Sequence, residues 1–135
     1  MRDRTPGQTG LVIVTHGQIG RSLIDVAEFI LDQTLDTVRF VSFKQSQMEK
    51  TGDDEISKAI ESADQGLGVL VMTDIGGASP CNYVARLLPQ PKVAMVTGIN
   101  LAMLIRVWNY RNKPLRELVK LAMEGAIRDI KEHRK

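Results

Sequence analysis

Four consecutive branched or long apolar residues, Leu11-Val12-Ile13-Val14, run without a polar interruption and stop at Thr15-His16-Gly17. A strand with one face in water alternates apolar and polar residues. A continuous apolar run instead needs cover on both faces, as in a parallel sheet held between two helical layers. The pattern recurs at Gly68 to Met72, and two further strands are expected at Val38 to Phe43, with Phe40 and Val41 among its apolar residues, and at Lys92 to Val96. Helically spaced apolar residues separate these runs: Leu23, Ile24, Val26, Ala27, Ile30 and Leu31 after the first, and Ile56, Ala59, Ile60 and Ala63 after the second. A third helix is predicted from Ser79-Pro80, a good cap and first position, to about Leu88, before Pro89 and Pro91. A fourth follows from Leu101 to about Trp108, with Asn100 as cap, and a final one from Pro114 to about Glu124. Gly125 is expected to interrupt that last helix, and Ala126 to Lys135 fits either more helix or a short strand.

Strands alternating with helices predict an α/β domain, a three-layer, doubly wound and mostly parallel sheet with strand order 2-1-3-4 if the first strand is central. Residues 1–9, with Pro6, Gly7 and no periodicity, read as a flexible lead-in, and 10–135 as the single domain. A chain of 135 residues with 43% hydrophobic content can bury a core without staples. Its formal net charge of +2 and the lack of a basic stripe with interleaved aromatics argue against nucleic acid as a partner. Cys81 is the single cysteine, so no internal disulfide is available, and the apolar runs are too short for membrane insertion. With no signal-peptide pattern, a cytoplasmic location is expected.

In such a sheet, ligands sit at the carboxyl ends of the strands where the winding direction switches, here between strands 1 and 3. His16 ends strand 1 and Asp74 ends strand 3. An imidazole nitrogen is a good nucleophile when its other nitrogen carries the proton and the ring is held still, and a carboxylate does both. His16 is therefore the candidate nucleophile and Asp74 its orienter. The helix start at Ser79, with its hydroxyl and free N–H groups, suits an oxyanion or phosphoryl group. Thr15 is counted with Ser79 in that phosphoryl site, although its residue type also suits a turn or cap. No cofactor is called for. A Gly-Lys-Ser/Thr phosphate loop is missing, and His133, in the tail, is not at metal-ligand spacing from His16. Ile19, Ile75, Leu101 and Met103 are expected to rim the crevice, the methionines Met72, Met95, Met103 and Met123 to fill core, and Arg128 to Lys135 to be a solvated charged tail.

Three stretches in order, Val12-Ile13-Val14-Thr15-His16-Gly17, Leu70 to Asp74 with Gly77-Ala78-Ser79-Pro80-Cys81-Asn82, and Val96 to Leu104, resemble the enzyme IIA domain of the mannose family of the bacterial phosphoenolpyruvate:sugar phosphotransferase system. The resemblance implies that His16 accepts a phosphoryl group from the carrier protein HPr and passes it to a IIB component, with Asp74 paired to His16 and Ser79 in the phosphoryl pocket. It also implies a homodimer that exchanges a C-terminal strand. Ala126 to Glu132 is the segment that would supply it, and Ile127 and Ile130 are spaced as well for a helix. The chain departs from the family pattern at Gly76, where many members carry a large apolar residue, and at Lys44-Gln45-Ser46-Gln47, where sugar-transporting members show Pro-Gly-Glu. With no Ala/Pro linker or fused IIB domain, it reads as a free-standing IIA of the kind that can serve regulation, in which the phosphorylation state of His16 controls a partner. The phosphotransfer subunit of a dihydroxyacetone kinase is the nearest alternative, but it usually shows apolar residues where Ser79-Pro80 stand.

Overall fold

The computed structural model describes residues 7–43, 52–76, 84 and 92–134. The expected Ser79-to-Leu88 helix, apart from Val84, and the Lys44 to Gln47 segment lie outside them. The elements in order are β1 (Gly10–His16), α1 (Ile19–Leu31), β2 (Arg39–Phe43), α2 (Gly52–Ala63), β3 (Val69–Thr73), β4 (Val93–Val96), α3 (Leu101–Asn109) and α4 (Leu115–Arg128). The sheet has the order β2-β1-β3-β4, and every neighbouring pair is parallel. The fold is the expected α/β one, with β1 central between β2 and β3.

Residues alternate between the two faces along each strand, so an uninterrupted apolar run fills two cores at once. Leu11, Ile13, Leu70 and Met72 pack on one face against Ile24 and Ala27 of α1, Met103, Leu104 and Val107 of α3, and Leu118 and Ala122 of α4. Val12, Val14, Val69 and Val71 pack on the other against Ile56, Ile60 and Ala63 of α2 and against Val84. Each fully buried Leu, Ile or Val contributes about 1.5–3 kcal/mol relative to exposure, which is the term that holds the strands in register. Register matters for the site. Thr15 pairs with Ser42 and His16 with Phe43 on one side, while Val14 pairs with Thr73 on the other.

Several local expectations change in the folded chain. Helix α4 runs through Gly125 to Arg128 without interruption. The glycine serves close packing: a Cβ there would lie 2.6 Å from Cδ of Arg106, so α3 and α4 touch where any larger residue would clash. Residues 126–128 are thus helical, and residues 129–134 form no strand. Met103 is 1% exposed and belongs to the core beneath the crevice, whereas Met123, placed in the core by its residue type, is 48% exposed on α4. The last residues of the lead-in are anchored, because Thr9 is buried and donates from its N–H and hydroxyl to the carbonyls of Arg111 and Lys113. No helix among the described residues is long and apolar enough to cross a membrane.

Candidate functional site

β1 and β3 end side by side, and their last polar residues meet. His16 Nδ1 lies 2.8 Å from Asp74 Oδ2, and the same oxygen accepts the His16 backbone N–H at 3.0 Å. The other oxygen, Oδ1, accepts the Ile75 N–H at 3.0 Å. Asp74 is therefore held at three points and offers both oxygens to donors. Burial pushes its carboxyl up, but the bonds from the His16 ring, the His16 N–H and the Ile75 N–H, together with the His16 charge, outweigh it and hold the group below its usual value. A carboxylate only accepts, so in the neutral ring Nδ1 carries the proton and Nε2 keeps its lone pair. The histidine side chain is 47% exposed and the aspartate 14%. The ring is held on its Nδ1 edge by a sheltered group and points its other edge away from that carboxylate.

The turn after His16 sets that direction. Gly17 has φ +49°, the left-handed region that glycine enters without steric cost, and α1 starts two residues later. Thr15 is fully buried, and its Oγ1 accepts the Gly20 N–H at 2.8 Å while donating to the His16 carbonyl at 3.2 Å. Its hydroxyl thus works as the start signal of α1, in place of the side-chain bond that Gln18 does not make. Of the residues expected in the phosphoryl site, His16, Asp74 and Thr15 come together; Ser79 lies outside the described residues.

β2 adds two neighbours that local sequence patterns did not single out. The Ser42 hydroxyl donates to the Gly17 carbonyl at 2.8 Å, and the Phe43 ring meets His16 edge-on, with centroids 6.2 Å apart and planes at 61°. The available signal was a polar residue, Ser42, set between the apolar Val41 and Phe43 at the end of the strand. Ile19 and Ile75 are 50% and 60% exposed beside the histidine. Gln18, Ile19, Ser22, Leu23, Val26 and Leu101 line a shallow depression of about 530 Å³ on the same side. Such a surface, open and apolar beside a reactive group, suits a protein partner better than an enclosed small molecule. Among the described residues, no group of three or more His, Cys, Asp or Glu side chains could hold a metal ion.

Known proteins resemble this chain in sequence and in fold. The family model described as the PTS system fructose IIA component matches residues 10–122. The mannose-specific EIIAB component of the PTS system in Escherichia coli strain K12 is 27% identical over 124 residues, a match covering 90% of this chain and 38% of that protein. The chain thus spans well under half the length of the curated relatives it matches. Among solved structures, the mannose/sorbose specific IIA subunit of the phosphotransferase system from Enterococcus faecalis superposes with a TM-score of 0.83 at 19% identity, over 95% of this chain and 96% of that one. The PTS IIA protein associated with the fucose utilization operon of Streptococcus pneumoniae gives 0.69 at 24% identity, over 89% and 92%. At these identities the structural likeness bears on the fold.

Proposed function

Because the chain belongs to the mannose-type IIA family of phosphotransferase-system components, we propose that it is a histidine phosphocarrier that takes a phosphoryl group from phospho-HPr on His16 and hands it to a IIB component. The observation that carries this reading is the 2.8 Å contact between His16 Nδ1 and Asp74 Oδ2 at adjacent strand ends, on a histidine side chain that is about half exposed. The Nε2 lone pair of His16 forms a bond to phosphorus as the N–P bond on the donor ring breaks. The electron pair of that broken bond stays with the donor's nitrogen. Nδ1 keeps its proton throughout, so a positive charge appears on the His16 ring, and the Asp74 carboxylate stabilises it. Onward transfer is the same step in reverse direction, with the IIB acceptor as nucleophile. Ser79 would contribute its hydroxyl to the phosphoryl oxygens, and Thr15, whose own hydroxyl is engaged within the turn, would hold the start of α1.

Exposure supports the two-partner traffic that this reading needs. The donor and the acceptor must each reach Nε2, and the depression lined by Ile19, Leu23, Val26 and Leu101 gives both the same apolar footing. A homodimer belongs to the same reading. Met123, Ile127 and Ile130 leave an apolar surface on and just beyond the last turns of α4 that a second copy would cover. Sedimentation at micromolar concentration tests that point. For the phosphocarrier role, the protein is incubated with phosphoenolpyruvate, enzyme I and HPr, then assayed for an acid-labile, base-stable phosphoryl group. Incorporation is expected in the wild type and none in His16→Ala. Equal labelling of the variant would overturn the assignment, and chase into candidate IIB proteins identifies the acceptor.

A further inference from the structure

We propose that Ser42, at the end of β2, is a positioning residue for phosphoryl transfer, acting on His16 through the Gly17 turn; the proposal rests on the phosphocarrier reading above. Among the described residues, few other groups hold the turn. Among the described residues, nothing lies within 4 Å of the place a Gly17 Cβ would occupy, so none of them packs against that point. Its conformation at φ +49° depends on hydrogen bonds. Those on either side of it are local to the turn or run to Asp74: the His16 N–H to Asp74, Thr15 to the His16 carbonyl, and the Gly20 N–H back to Thr15. The bond from Ser42 Oγ to the Gly17 carbonyl, at 2.8 Å, is what ties the middle of the turn to a neighbouring strand.

The register explains why this residue can do it. Ser42 pairs with Thr15 in the parallel ladder, so its side chain reaches past the end of β1 to the carbonyl two residues further on. Phe43, paired with His16, places its ring edge-on against the imidazole. The end of β2 therefore touches both the reacting ring and the turn that aims it. In a trans peptide the carbonyl and the following N–H point in opposite directions, so holding the Gly17 carbonyl also fixes where the Gln18 N–H and the first turn of α1 point. With the Ser42 hydroxyl gone, Asp74 still binds the ring, but the backbone that carries the ring gains freedom. The fraction of encounters in which Nε2 is in line with the incoming phosphorus then falls. The cost falls on the transfer step, since Ser42 lies outside the residues lining the apolar depression offered to the carrier.

The test compares wild type, Ser42→Ala and Ser42→Thr in single-turnover phosphorylation by phospho-HPr, alongside the nitrogen NMR shifts of the His16 ring in the unphosphorylated protein. One neutral hydrogen bond corresponds to a rate loss of about three- to tenfold. Ser42→Ala should show that loss at saturating carrier, with half-saturation unchanged and the ring shifts displaced, and Ser42→Thr should restore both. Unchanged rate and ring shifts in Ser42→Ala would overturn the proposal. So would a rate loss that follows the melting temperature equally in both variants, because that is a purely structural role. If wild type takes no phosphoryl group, the phosphocarrier reading fails, while the ring shifts still decide whether Ser42 positions His16.

Discussion

Replacing Asp74 with asparagine separates charge from shape. The amide has the size of the carboxylate and can still accept the His16 or Ile75 N–H through its one carbonyl oxygen, so the backbone path of β3 should survive. What it lacks is the negative charge and the second acceptor oxygen, both of which the wild-type site uses. A hydrogen bond to a charged group contributes about 1.5–3 kcal/mol, and the bond at 2.8 Å between His16 Nδ1 and Asp74 Oδ2 strengthens as the phosphorylated ring turns cationic. Asp74 is 14% exposed, so solvent screens this term only in part. If the gain is realised in the transition state, Asp74→Asn slows transfer from phospho-HPr about 10- to 150-fold. The assay is rapid-quench single turnover at saturating carrier, with the melting temperature as control for folding. A variant that transfers within about twofold of wild type would refute the reasoning, whatever its stability, because Asp74 would then be only the cap of its own turn.

The same carboxylate sets a pH dependence of stability. Its folded value is depressed, so its contribution is fully present above the unfolded value of about 3.9 and is lost as pH falls past that value toward the folded one. The stability difference between wild type and Asp74→Asn, measured by urea unfolding, should therefore shrink as pH drops through about 4; a constant difference would contradict the sign. Thr15→Val keeps the shape but leaves the buried Gly20 N–H without its acceptor, and should destabilise by about 1–2 kcal/mol in chemical denaturation. Asn100→Ala removes the oxygen that accepts the Met103 N–H at 2.8 Å at the start of α3, and about 1 kcal/mol of stability should go with it. Gly125→Leu should lower the melting temperature more than either, since its side chain has to displace the Arg106 stem from between α3 and α4.

Met103 and Met123 show where residue type stops being informative. Both sit in helices with apolar neighbours, yet one is 1% exposed under the sheet and the other 48% exposed. Which face of a helix meets the sheet depends on the entry angle of the preceding turn, and a short window does not contain it. Thr15 is a similar case. Beside a candidate nucleophile its hydroxyl could serve a phosphate or a backbone N–H, and the αL turn at Gly17 decides for the Gly20 N–H by bringing it to 2.8 Å.

The sequence by itself determined the alternation of strands and helices, the two-sided burial of β1 and β3, the Asn100 cap, and the pairing of His16 with Asp74. Each follows from short-range patterning or from the rule that parallel strands in a doubly wound sheet end together at a switch point. Tertiary structure alone decided that Gly125 lies inside a helix, because the reason is Arg106, nineteen residues away and on another element. It also decided that Ser42 reaches the Gly17 carbonyl, a contact that exists only when β2 has aligned on β1 in a particular register. Local patterning selects elements through interactions along the chain. The orientation of a reacting ring is set by groups that come from other strands, and those meet only after the sheet has formed.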